Sequence, residues 1–174
     1  MADLTFNTTS GATIEREMLI AYLNTGTSQN PTWSALGSRV TDSSEEIDWS
    51  EDSSTDILGV QHTTLKKPVI TQSFDPSNLD SGDSAIVKIW NMAVKDQNYV
   101  GLSALDLLIV HAYAGTANSA VFAERYGGCT VRPTGLGGEG GGSIGMPLEV
   151  TYGGTRTVGT AAINNGAVTF SAAA

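Results

Sequence analysis

Between residues 16 and 23 apolar side chains fall on both sides of a two-residue repeat: Met18, Ile20 and Tyr22 on one, Leu19, Ala21 and Leu23 on the other. Such a run predicts a strand buried on both faces. Residues 24–31 are turn chemistry ending in Pro31, and Trp33-Ser34-Ala35-Leu36 with Arg39-Val40 predicts a short second strand. Residues 57–63 and 65–74 predict two more, and Pro68 makes the latter bulged or an edge, because proline brings no N–H to a ladder. An edge is a place where another chain can pair. One segment changes period. After Asp80-Ser81-Gly82-Asp83, the residues Ile86, Ile89, Trp90, Ala93 and Val94 recur at helical spacing, predicting a helix over about 83–95.

Everything beyond the helix has strand character. Residues 102–113 are apolar around Asp106, residues 120–126 and 129–132 make a pair of strands or one bent strand, and 148–152 alternates cleanly. Segments 155–158, 161–163 and 167–170 follow, the last two flanking Asn164-Asn165-Gly166, whose residues tolerate the positive φ of a tight hairpin. The fold expected is mainly β, a β-sandwich or barrel with one flanking helix. It forms a single domain over 1–174, with an N-terminal arm (1–15), an acidic loop (41–56) and a Gly-rich loop (134–147).

Charge adds an asymmetry to this pattern. The chain carries a formal net charge of −9. Its first 60 residues hold ten acids against only Arg16 and Arg39. The densest run is Asp42, Glu45, Glu46, Asp48, Glu51, Asp52 and Asp56, with Ile47 and Trp49 at alternate positions inside it. Such a run is either a solvated loop or a deliberately negative face. Specific nucleic-acid binding is disfavoured, since phosphate neutralisation needs clustered Lys and Arg. One cysteine, Cys129, permits no intrachain disulfide and suits a reducing compartment. Residues 1–5 carry no signal-peptide pattern and no segment has the length of a membrane span, so a soluble, unprocessed chain is expected.

Candidate chemistry is sparse. Gly135-Leu136-Gly137-Gly138-Glu139-Gly140 fits the dinucleotide-loop spacing, but Gly141, Gly142, Gly145 and Pro147 follow where a helix would have to start. His62 and His111 each sit in an expected strand without neighbours at metal-ligand spacing. Asp75, Asn78, Asp80 and Asp83 miss the spacing of a calcium loop and read as capping residues. Cys129 reads as a small buried apolar residue. No catalytic, cofactor or metal site is expected, and the chain is not expected to be an enzyme. Trp33 and Trp49 would be the platform of a monomeric adhesin or carbohydrate-binding module, the main alternative.

Several stretches together resemble the major tail tube proteins of long-tailed bacteriophages. They are Trp33 with Leu36-Gly37 before the acidic segment, residues 64–74 leading through Asp80-Ser81-Gly82-Asp83 into the helix, and Arg132-Pro133-Thr134 before the Gly-rich loop. Leu148 to Tyr152 with Val158-Gly159-Thr160 completes the likeness. It is one of pattern and order over most of the chain. It implies a structural virion protein whose hexameric rings stack around a tape-measure protein into a hollow tail tube, bounded by tail-tip and terminator proteins. Assembly would occur in the host bacterial cytoplasm, and DNA would pass through the lumen without specific binding. The tube protein of a contractile injection machine follows the same fold logic. The resemblance maps the ring-contact loop onto Asp42, Glu45, Glu46, Asp48, Trp49, Glu51, Asp52 and Asp56. These acids either line the lumen, where they would repel DNA weakly, or meet Arg39, Lys66, Lys67 or Arg125 of a neighbouring copy.

Overall fold

A computed structural model describes residues 4–173, so the first three residues of the expected arm lie outside it. The strands are β1 (Leu19–Asn24), β2 (Trp33–Leu36), β3 (Glu45–Asp48), β4 (Glu51–Thr55), β5 (Gln61–Leu65) and β6 (Val69–Phe74). After helices α1 (Ser84–Trp90) and α2 (Tyr99–Leu102) come β7 (Leu105–Thr116), β8 (Ala120–Pro133), β9 (Leu148–Thr151), β10 (Thr155–Asn164) and β11 (Ala167–Ala172). All pairings among them are antiparallel.

Strand β8 organises the molecule. One side of it pairs with β7. The other pairs with β10 through Val121 to Gly127, and with β9 from Thr130 to Pro133. Two sheets therefore diverge from one strand: β2-β1-β7-β8-β10-β11, and β8-β9-β6-β3. The divergence occurs at Gly127-Gly128. Gly128 has φ +118 and is the extra residue where the β7–β8 register slips between Leu105 and Asp106. The β9–β10 turn, Gly153-Gly154, crosses directly against it. A Cβ on Gly154, whose φ is +68, would overlap the Gly127 carbonyl oxygen. Glycine is needed here by space as well as by backbone conformation.

Each sheet face follows from alternation. Ala21 and Leu23 of β1, with Leu107 and Ile109 of β7, face a first core completed by Ile86 and Ile89 of α1 and by Val131 and Val150. Tyr22, Leu108, Val110, Val121 and Ala161 face the opposite way into a second core with Trp33 and Val168. The larger sheet curls around this second core until β11 lies against β2, with no backbone pairing between the two. The result is two packed sheets without a closed barrel. β1 is buried on both faces, as its sequence requires, although Arg16–Met18 forms a 3₁₀ turn instead of the start of the strand.

The smaller sheet is one-sided. Its inner row runs Val131, Val150, Gln72 and Glu45, while its outer row runs Thr130, Thr151, Thr71 and Glu46. Arg132, Glu149 and Ser73 extend the polar outer face.

Several elements differ from the sequence-based expectation. Residues 41–56 are not a loop throughout, since they contain β3 and β4. Arg39 adopts φ +59 in a turn, so no strand includes Arg39-Val40. Residues 57–60 form a turn instead of a strand, because the Asp56 carboxylate accepts from the N–H groups of Leu58 (2.8 Å) and Val60 (3.0 Å) and Gly59 takes φ +82. Pro68 lies between β5 and β6, where it removes no ladder bond, and β6 is paired on both sides; the edge strand is β3.

The expected helix is present with a change of pitch: α1 continues as a π-helical segment, Asn91–Lys95. Asp83 caps it, accepting from the N–H groups of Ala85 (3.0 Å) and Ile86 (3.1 Å). Asp83→Ala is expected to cost about 1 kcal/mol in urea denaturation. The Asn164-Asn165-Gly166 hairpin forms as its residues require, with φ +48 at Asn165 and +82 at Gly166.

Candidate assembly surface

Strands β4 and β5 pair only with each other and project from the smaller sheet. All ten of their residues are exposed. A lone two-stranded hairpin is at best marginally stable in water. This one has local support: the Asp56 turn, a His62 Nε2 to Asp56 Oδ2 contact of 3.1 Å, and Lys66 Nζ 2.7 Å from Asp52. Val60 N–H donation, followed by His62, holds the Asp56 carboxyl below its ordinary range. The apex is unusual in being apolar. Ile57 is 101% exposed and Leu58 82%, with Val60 beside them half-exposed. Turn apices are normally polar, so these large apolar side chains form an uncovered apolar tip.

At the root of the hairpin the two sheets leave a cleft of about 440 Å³. Ile47, Ile70 and Tyr152, a cross-strand row of the smaller sheet, form one side with Trp49 and Pro68, and Tyr126 of β8 faces them. Lys67, Glu124 and Arg156 supply its charges. Glu124 is already committed, accepting from Tyr126 Oη at 2.5 Å and from Arg156 Nε and Nη2 at 3.0 Å each. The Tyr152 hydroxyl donates to Gln72 Oε1 and lies beside the half-buried Glu45, whose carboxyl burial pushes upward against the opposing pull of Tyr152.

The expected site residues therefore separate. Glu46 and Asp48 project from the exposed side of β3, and Asp48 also accepts from Ser50 N–H at 3.0 Å. Glu45 faces inward, Trp49 lines the cleft, and Glu51, Asp52 and Asp56 belong to the hairpin. Asp42 forms an isolated backbone bridge with Asp75. Of the four basic residues, Arg39 pairs with Asp80 (3.0 Å), Lys66 with Asp52, and Arg125 with Asp106 (2.6 Å). Among the described residues, Lys67 alone of the four has no ion-pair partner within the chain. Sequence reasoning missed Ile57, Leu58 and the cleft. The apex had a legible signal in Asp56-Ile57-Leu58-Gly59, a turn frame around two large apolar residues. The cleft had none, because its walls lie far apart in the chain.

The other candidates have structural surroundings. Trp33 is buried beneath the Arg125 guanidinium (5.7 Å to the ring centroid), so it cannot form a surface platform with Trp49. Cys129 is fully buried and its thiol is pushed up to about 11 by burial, which keeps it protonated at neutral pH. Gly137 and Gly145 exchange backbone hydrogen bonds, folding the Gly-rich loop on itself. Asp80 binds Arg39 and the Gly82 N–H. Among the described residues, no three His, Cys, Asp or Glu side chains gather to hold a metal. No helix among the described residues is long and apolar enough to cross a membrane.

His111 lies on β7 with Nδ1 2.8 Å from Tyr113 Oη and Nε2 3.7 Å from Glu124. Burial lowers its imidazole pKa, Glu124 opposing and Arg156 reinforcing the shift. For Glu124, burial acts upward, but the Arg156 and Tyr126 hydrogen bonds outweigh it and hold the carboxyl low. Both groups bind protons more readily once unfolded. Their contributions are therefore complete above the unfolded values, roughly 6.5 and 4.3, and are lost as pH falls through the lowered folded ones. The raised Glu45 runs the other way, its contribution being lost as pH rises through its folded pKa. Urea midpoints should fall on acidification from about pH 6.5, and His111→Gln should flatten the first part of that fall.

No family profile and no curated protein match the sequence. Among solved structures, the chain is similar to the tube-terminating cap of the anti-feeding prophage, at 13% identity, 96% coverage of each chain and a TM-score of 0.47. It is also similar to the sheath/tube terminator of an extracellular contractile injection system (13% identity, 86% of this chain and 99% of the other, TM-score 0.46). The sheath-tube complex of such a system matches at 10% identity, 94% and 95% coverage, and TM-score 0.46.

Proposed function

We propose that this chain is a structural subunit that self-assembles into stacked hexameric rings, forming the hollow tube of a virus tail. The observation that carries this reading is the projecting β4–β5 hairpin, whose apolar apex buries nothing in its own subunit and gains by being covered in another. The chain-order resemblance to major tail tube proteins supplies the form of the assembly, with a tape-measure protein inside it and tail-tip and terminator proteins at its ends. Assembly takes place in the bacterial host cytoplasm, and the finished tube belongs to the virion tail.

The outer face of β3-β6-β9 suits the lumen. Glu46 with Thr71 and Thr151 presents carboxylate and hydroxyl groups, and Arg132 there is neutralised by Glu149. Such a wall repels phosphates and offers bases no aromatic to stack on, so DNA passes without being held. Sedimentation and negative-stain microscopy of the purified protein over a concentration series test the reading. Rings or tubes are expected. A monodisperse monomer at high concentration, even when seeded with a tail-tip complex, would overturn it.

A further inference from the structure

We infer that the hairpin apex of one copy seats in the root cleft of the next, Ile57 and Leu58 entering between Trp49 and Tyr126. This rests on the self-assembly reading above and names its contact surfaces. Three observations carry it. The first is fit. A cavity of about 150 Å³ lined by aliphatic and aromatic side chains accepts a benzene ring, so the cleft of about 440 Å³ has room for both side chains together. The second is reach. Five ladder pairs, from Glu51–Leu65 to Thr55–Gln61, place the apex roughly 17 Å from the root. A copy therefore cannot fill its own cleft.

The third observation is charge. The hairpin carries Glu51, Asp52 and Asp56; Lys66 at its base offsets Asp52, and no other Lys or Arg lies between positions 51 and 66, so its net charge is negative. The cleft offers Lys67, which pairs with no carboxylate among the described residues, beside an Arg156 that offsets Glu124. Like-signed edges would oppose docking, and these are opposite. Because knob and hole are different surfaces of the same subunit, the contact is heterologous; made between stacked rings, it leaves knobs unused at one end of the tube and clefts at the other, and so propagates in one direction.

Paired cysteines test this. Ile47→Cys lines the cleft and Leu58→Cys sits at the apex, both exposed, while the buried Cys129 stays out of the reaction. Oxidising the double variant under assembly conditions should give a ladder of disulfide-linked multimers. A control pairing Leu58→Cys with Ser73→Cys, on the outer face of β6, should give none. Lys67→Glu should raise the concentration required for assembly by up to about fivefold. Assembly of the double variant without a ladder, or equal ladders from both pairs, would overturn the cleft assignment and leave self-assembly standing. A wild-type chain that stays monomeric throughout would overturn both.

Discussion

Replacing Ile57 and Leu58 together by serine is expected to raise the concentration needed for assembly at least a hundred-fold while leaving the subunit folded. The two parts of that expectation have separate causes. In the free subunit both side chains lie almost wholly in water, so removing them forfeits no intramolecular burial. In the assembly each covered side chain contributes about 1.5–3 kcal/mol, or roughly 3–6 kcal/mol for the pair. At about 1.4 kcal/mol per factor of ten, that is about 10² to 10⁴ in the association constant. Sedimentation across a concentration series reads the shift, and circular dichroism with a urea titration checks the fold. An unchanged assembly threshold would remove the hairpin apex from the interface.

Replacing Gly154 by alanine should have the largest effect on the subunit itself. Its φ of +68 costs an alanine about 1–2 kcal/mol, and its Cβ would be forced onto the Gly127 carbonyl oxygen at the crossing of the two sheets. Displacing that backbone adds about 1–3 kcal/mol, as overpacking does elsewhere. The total, about 2–5 kcal/mol, is a large part of the stability of an ordinary domain. Gly166 provides the comparison, because it has φ +82 but open space around it. Gly166→Ala should cost only the conformational part, about 1–2 kcal/mol. Equal losses in urea denaturation would mean that the strand crossing contributes nothing.

Much of the fold could be read from local pattern. β1 carries apolar residues on both faces because the chain must serve two cores at once, and the alternation of Leu19, Ala21 and Leu23 with Ile20 and Tyr22 records that. Asp83 and the Ile86/Ile89 spacing announce the start and buried stripe of α1. The failures also have local causes. Side-chain capping by Asp56 outweighs the β-propensity of Ile57 and Val60, and Pro68 marks a break between strands instead of an edge.

By itself the sequence determined the mainly β character, the capped helix, the Asn-Gly hairpin and the concentration of acid in the first third. Each of these depends on neighbours within a few residues. The tertiary structure alone decided which acids share a surface, and it separated the β3 pair Glu46 and Asp48 from the hairpin acids. It also decided that Arg39, Lys66 and Arg125 spend their charge within the subunit while Lys67, among the described residues, does not. The cleft beneath the hairpin joins Trp49, Ile70 and Tyr152 to Tyr126 and Arg156 through the bend of a single shared strand. Contacts of that kind are set by strand register and by the close approach of Gly127 to Gly154, which no periodicity along the chain encodes.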